Sequence, residues 1–309
     1  MPEVQAEDPE ERQPREARHH VVPQGLSGPF RRRQEESLAQ PLEPSPSSHA
    51  RRPEATSELE RLGVTRAADL PSLARAVRMT LLSLPNERVV EAVVLGAPGA
   101  PGLLAGAQPG DLVFDLSTVS PDSTRRLAAR AADRGVRLID APVSGSVSGA
   151  RAGTLAVMIG ASEQDVAQWK PVLGAIGTNL FALGELGRGN VLKLLNNYVA
   201  LTGQAVLCEA MALADRLGVP RATVADVLGK SSGGSFILER KRAALAARDY
   251  SPGFFVDLAL KDLTLALALA ESAGARAEVA RQASRLYAEA SQKGLGTLDS
   301  SGLLRLLEP

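Results

Sequence analysis

Between residues 51 and 189 the chain alternates short apolar runs with stretches whose apolar residues recur every three to four positions, the texture of strands and helices built around a parallel sheet. Residues 53–62 have helical spacing, and 64–66 form a short extended piece. Asp69 is placed to cap a helix through Ala76, with Pro71 in the first turn, where its missing N–H leaves no bond unmade. The run 77–84 reads as a buried strand halted by Pro85, and Asn86 caps the helix that follows to Leu95. Beyond a Gly/Pro loop come a strand at 112–116, a helix at 121–134, and strands at 136–140 and 154–159.

From Asn190 the strand signals cease. Residues 190–217 keep helical spacing with one internal glycine, Gly203, and predict a helix of about 28 residues, apolar on most faces and therefore buried on several sides. Further helices are expected near 221–228, 235–248, 256–273 and 275–293. The pattern predicts an α/β domain with a parallel sheet, then an all-helical domain.

Residues 1–50 break with this texture. They hold eight prolines, six arginines, nine acidic residues and all three histidines, only twelve apolar residues, and no apolar run longer than two. A buried strand needs about four to eight consecutive or alternating apolar positions, so the segment is expected to be disordered, with His19, His20 and His49 as solvated residues of a tail. Elsewhere composition mainly excludes. Thirty-five Lys+Arg balance thirty-five Asp+Glu for a net charge of zero, which gives nucleic acid and acidic membranes no general attraction. The uncharged stretch 92–110 is interrupted by Pro98, Pro101 and Pro109 and cannot be a spanning helix. A single cysteine, Cys208, cannot form an intrachain disulfide or complete a zinc site, and residues 1–18 lack the apolar core of a secretory signal, so a cytoplasmic location is expected.

Three polar segments fall at predicted element ends. Asp115-Leu116-Ser117-Thr118-Val119-Ser120-Pro121 leaves one strand for a helix, Asp140-Ala141-Pro142-Val143-Ser144-Gly145-Ser146 leaves the next strand, and Gly184-Glu185-Leu186-Gly187-Arg188-Gly189 leads into the long helix. Strand C-termini of an open parallel sheet are where ligands bind, so Ser117 and Thr118 offer hydroxyls to a ligand or simply cap the helix at Pro121. Gly145, Gly149 and Gly153 permit positive φ and close backbone approach, which suits either an anion-binding nest or a plain flexible turn. On the long helix Lys193 lies among Leu192, Leu194 and Leu195, with Asn197 four residues on and on the same face. That spacing fits an ordinary surface cation or an amine dried enough to exchange protons near neutral pH. Trp169, Met158 and Met211 read as core packing.

With Lys261-Asp262-Leu263, these motifs and their spacing resemble the β-hydroxyacid dehydrogenase family, which includes 3-hydroxyisobutyrate dehydrogenase and tartronate semialdehyde reductase, over residues 51–304 or so. The resemblance implies a Rossmann-like NAD(P)-binding domain at 51–185 and a helical substrate and dimerisation domain at 186–309. It implies hydride transfer between NAD or NADP and a short β-hydroxy acid or its semialdehyde, in a homodimer or homotetramer. In its pattern G-x-x-x-K-x-x-x-N, Lys193 is the general acid/base and Asn197 orients the substrate. Ser144, Gly145 and Ser146 hold the substrate carboxylate, although the family has glycine where this chain has Ser146. Thr118, Ser117, Leu84, Pro85 and Lys261 contact the cofactor, and Arg51 stands where a family arginine meets a ribose 2′-phosphate, favouring NADP. The retained Lys193 argues against an imine reductase and against the non-catalytic chromatin-reading relatives.

One family element is missing. No G-x-G-x-x-G turn, the phosphate cradle of the first βαβ unit, occurs anywhere in the chain, and residues 1–50 stand in its place. That segment is expected to be a misread one, and without its cradle the chain would be a catalytically impaired or purely binding relative.

Overall fold

The computed structural model describes residues 47–50 and 56–308. Strand β1 (Ser47–Ser48) and helix α1 (Ser57–Arg61) lead to β2 (Thr65–Arg66), which pairs in parallel with β1. Asp69 Oδ1 accepts from the Ser72 N–H at 2.7 Å to start α2 (Leu70–Ala76). Strand β3 (Met79–Leu82) follows, and Asn86 Oδ1 accepts from the Val89 N–H at 3.1 Å to start α3 (Glu87–Leu95). Next come β4 (Leu112–Asp115), α4 (Pro121–Ala132), β5 (Arg137–Asp140), β6 (Val143–Ser144), α5 (Ser146–Ala152), β7 (Ala156–Ile159), α6 (Glu163–Leu173) and β8 (Asn179–Ala182).

β3, β4 and β5 form an all-parallel sheet in that order, and β8, β7 and β6 form a second, with β6 antiparallel to β7. The second continues from the first: the Gly160 N–H donates to Asp140 O at 2.8 Å and the Met158 N–H to Pro142 O at 2.9 Å. Successive strand residues face opposite ways. Val113 and Leu138 pack with Val90, Val94 and Leu127 on one face, while Phe114 and Ile139 pack with Val157, Ile159 and Leu173 on the other. There Trp169 meets Phe114 edge to face at 5.0 Å.

Helix α7 (Arg188–Arg216) then runs 29 residues, followed by α8 (Arg221–Gly229), α9 (Phe236–Ala247), α10 (Val256–Ser272) and α11 (Glu278–Ala290). Their core centres on Met211, Leu238, Leu245, Leu263, Tyr287 and the closing Leu303 and Leu304. A Rossmann-like α/β domain precedes a helical one, as the sequence predicts. No helix among the described residues is long and apolar enough to cross a membrane.

Several expectations change. The run 77–84 is not a fully buried strand: β3 pairs with β4 alone among the described residues, so its other edge is open and Leu81 is exposed. Within the segment read as a tail, Ser47–Ser48 pair with β2, and His49 Nδ1 lies 3.2 Å from Ala67 O, so His49 is not a solvated tail residue. His19, His20 and the remainder of residues 1–46 lie outside the described residues. The glycine-rich segment after Ser144 is a short helix, and the last long α-helix passes after Ala290 into a π turn, Ser291–Leu295, within which Gly294 has φ +80°. The long helix keeps one apolar stripe exposed, with Leu192, Val199, Val206 and Leu213 at intervals of seven.

Candidate active site

The ends of β3, β4 and β5 are stitched together by side chains that the strands deliver. Asp115, buried at the end of β4, accepts from the Ser117 N–H at 2.9 Å, and Ser117 Oγ accepts from the Leu84 N–H at 2.9 Å. Ser117 is itself buried, so its hydroxyl holds the Leu84-Pro85 corner against the Thr118 loop. Burial pushes the Asp115 carboxyl up to about 6, and the charge of Asp140 adds to that against the Ser117 hydrogen bonds. From the first turn of α7, Asn190 accepts from the Val119 N–H at 3.1 Å and donates to Thr124 Oγ1 at 3.2 Å.

Asp140 joins the sheet to the long helix. Its two carboxylate oxygens accept from the N–H groups of Gly187 and Asn190, each at 2.8 Å, satisfying donors that a helix start leaves unpaired. Burial raises the Asp140 pKa, and these backbone hydrogen bonds oppose the rise. The fit is close. A Cβ added at Gly160 would sit 2.1 Å from Asp140 Oδ1, and one at Gly189 would sit 2.3 Å from the Met158 carbonyl oxygen.

One turn further along α7, Lys193 is 9% exposed. Its Nζ donates to Asn197 Oδ1 at 3.1 Å, and Asn197 Nδ2 donates to Asp262 Oδ2 at 2.5 Å. Burial lowers the Lys193 pKa to about 8; the Asp262 carboxylate works against that shift and the Lys261 ammonium with it. Lys261 Nζ lies 2.8 Å from Asp262 Oδ1 and donates to Thr118 O at 2.7 Å, which carries the helical domain onto the end of β4. Asn196 completes the cluster, its Nδ2 donating to Asn197 Oδ1 at 2.9 Å and to Ser144 Oγ at 3.5 Å.

After Ser144 the backbone turns at Gly145, with φ +139°, and at Ser146, with φ +59°. The first value requires glycine, and a Cβ there would lie 2.9 Å from Leu155 Cδ2. Ser146 adopts the left-handed conformation that glycine takes more readily, and its Oγ accepts from Arg240 Nη2 at 2.5 Å.

Lys193, Asn197, Ser144, Thr118 and Lys261 are thus brought into one connected cluster, with Leu84 tied to it through Ser117. Gly145 and Ser146 follow Ser144 at its edge, and Pro85 is exposed beside Leu84. Arg51 lies outside the described residues. Sequence reasoning missed Asn190, Asn196 and the part played by Asp262, although Asp262 adjoins Lys261 and both asparagines lie within a helical turn or two of Lys193. As a test of fit for a nicotinamide cofactor, the Thr118 hydroxyl is half-buried at the strand ends and makes no hydrogen bond among the described residues, and Lys261 stands over the same loop. That corner leaves a hydroxyl beside an ammonium for a polar ligand; the sequence holds no G-x-G-x-x-G for a pyrophosphate.

Residues 47–184 match the model of the NAD binding domain of 6-phosphogluconate dehydrogenase, and residues 187–307 that of the NAD-binding domain of NADP-dependent 3-hydroxyisobutyrate dehydrogenase. The chain is 37% identical over 237 residues to 2-(hydroxymethyl)glutarate dehydrogenase of Eubacterium barkeri, covering 76% of this chain and 78% of that one. It belongs to the β-hydroxyacid dehydrogenase family. The 3-hydroxyisobutyrate dehydrogenase of Pseudomonas aeruginosa is 36% identical over 264 residues, which cover 82% of this chain and 87% of that one. The crystal structure of a 3-hydroxyisobutyrate dehydrogenase from Salmonella typhimurium superposes with a TM-score of 0.78 at 29% identity, covering 85% of this chain and 91% of that chain. The family is one of NAD(P)-dependent oxidoreductases, and in this chain the Lys193 cluster joins residues of the α/β domain, Thr118 and Ser144, to residues of the helical one, Asn197, Lys261 and Asp262.

Proposed function

We propose that the chain interconverts a short β-hydroxy acid and its semialdehyde with NAD or NADP, and that Lys193 is the general acid/base. The observation that carries this reading is the buried Lys193 amine, bonded to Asn197 and linked through Asn196 to Ser144. When bound, NAD(P) supplies the hydride acceptor or donor beside Thr118, Leu84, Pro85 and Lys261. Lys193 in its neutral form takes the proton from the substrate hydroxyl and in its charged form returns it to the carbonyl oxygen. Asn197 has one Nδ2 hydrogen on Asp262 and a second for the substrate oxygen, so Asp262 fixes the amide that orients the alcohol. The Ser144 hydroxyl and the backbone N–H groups of the following turn hold the carboxylate.

The pH dependence tests it. Oxidation needs the neutral amine, so kcat/KM for the alcohol should rise with pH and level off above about 8; reduction needs the ammonium and should fall over the same range. Steady-state assays in both directions read this, and opposite limbs at a shared midpoint are expected. Lys193→Arg should lose both limbs, because guanidinium stays charged. A profile flat through that range in both directions removes Lys193 from the chemistry.

A second reading is a binding relative without turnover, favoured by the missing phosphate cradle and by a β1–β2 pair that does not join β3 among the described residues. Calorimetric titration with NADPH and NADH separates the two, since a cofactor that does not bind leaves no oxidoreductase.

The partner we propose is a second copy of this chain. Leu192, Val199, Val206 and Leu213 repeat at the seven-residue interval of paired helices, with Leu195 between them, and Gly203 on the same stripe has nothing within 4 Å. Like stripes on two copies would bury each other around a two-fold axis. Val206→Glu should therefore shift the mass seen by analytical ultracentrifugation from a dimer or tetramer to a monomer; an unchanged mass rejects the interface.

A further inference from the structure

We propose that Arg240 makes this enzyme selective for substrates carrying a second acidic group, a β-hydroxy diacid rather than a β-hydroxy monoacid. The inference rests on the reading of Ser144 and the turn after it as the carboxylate pocket, and deepens that reading.

Arg240 projects from α9 in the helical domain to the first turn of α5, just after β6, in the other. Its Nη2 donates to Ser146 Oγ at 2.5 Å and also to Ser148 Oγ. The guanidinium lies over the exposed Phe236 ring at 5.3 Å, one helical turn back. Neither contact brings a negative charge, and Arg240 has no carboxylate partner among the described residues. Arg221 shows the contrast, with its buried guanidinium held by Asp215, Glu308 and Tyr250. A guanidinium has five N–H donors in a rigid fork. Both bonds of Arg240 leave from Nη2, so Nη1 and Nε of this exposed side chain have no protein partner among the described residues and stand open to a ligand or to water.

Position gives those donors a use. Ser146 follows Ser144 by two residues, at most about 7 Å of chain, and Ser144 is tied through Asn196 to Asn197 and Lys193. Arg240 therefore borders the turn read as the carboxylate pocket, and the proposal places it beside the tail of the substrate. A carboxylate on that tail meets a planar, partly unspent fork by charge-assisted hydrogen bonds; a methyl or amide does not. Selectivity follows from the difference, because a site built to pair with a charged group loses most when that group is absent.

The test uses three probes with one reacting centre: 2-(hydroxymethyl)glutarate, its neutral 5-amide, and 3-hydroxyisobutyrate. Each is assayed for kcat/KM with NAD and with NADP, and for binding by calorimetry, in the full-length wild type, Arg240→Leu and Arg240→Lys. The wild type should prefer the diacid to its amide, and Arg240→Leu should lower kcat/KM for the diacid by about 10- to 100-fold, the cost of one charge-assisted hydrogen bond, with less than about a threefold change for the other two. Arg240→Lys, which keeps the charge and loses the fork, should fall between them. An equal loss on all three probes would make Arg240 a clasp for α5 and overturn the proposal, as would a wild type that treats diacid and amide alike. If the wild type turns over none of the probes, the oxidoreductase reading fails; calorimetry then decides separately, since diacid binding that is lost in Arg240→Leu upholds the selectivity and its persistence ends it.

Discussion

Lys193→Ala is expected to lower kcat by about 10²–10⁴-fold, the usual contribution of one positioned proton-transfer group, while the protein stays folded. The side chain is nearly dry, so its ammonium is destabilised and an appreciable fraction is neutral near pH 7. Alanine removes the titratable group bonded to Asn197 Oδ1, leaving the Asn196 bond to that oxygen and the Asp262 bond to Nδ2 in place. The substrate should still be oriented, and KM should change far less than kcat. A buried cation is also a liability in a fold, because desolvation disfavours its charge. Thermal unfolding of the variant should therefore match or exceed the wild type. A kcat within threefold of wild type would remove the lysine from the reaction; a lost transition would mean that the amine supports the fold instead.

Gly189→Ala should destabilise the protein by about 3 kcal/mol or more and lower its melting temperature by roughly 6–12 °C. Few glycines here face so tight a wall: a methyl group would meet the Met158 carbonyl at 2.3 Å and Asp140 Oδ2 at 2.8 Å, both attached to sheet residues that cannot swing aside. Relief requires the first turn of α7 to back away, which breaks the bonds from Gly187 and Asn190 to Asp140 and strands buried polar groups. Lys193 would retreat with the helix, so activity should fall beyond what stability explains. Calorimetric unfolding with kcat on the remaining folded fraction separates the two effects. A variant that melts with the wild type would show that this junction yields easily.

The parts of this molecule written in the sequence are those decided locally. Asp69 and Asn86 start their helices from within three residues, so their caps are legible from residue type and position. The spacing of Lys193 and Asn197 places both on one face of any helix that contains them. What escapes is whatever depends on chain returning from afar. Asp262 reaches Asn197 across sixty-five residues and Arg240 reaches Ser146 across ninety-four, and no local pattern marks either pairing. The run 77–84 looks buried because five of its eight residues are apolar, yet a strand is covered only if a neighbour lies on each side, and the composition of the strand itself does not supply that neighbour. Ser47–Ser48 err in the opposite sense, since two serines carry no strand signal and pair because Thr65–Arg66 present a matching edge.

Asp140 grips α7 by its first residues, and this makes the long helix a lever with its fulcrum at the sheet. Lys193 is three residues past Asn190, about 4.5 Å of helical rise, whereas Arg216 is twenty-six residues past it, about 39 Å. A rocking of the helical domain by about 10° would move the far end by roughly 7 Å and the lysine backbone by less than about 1 Å. Substrate could thus be admitted by a swing of the distal helices while the proton-transferring amine stays almost stationary against the strand ends.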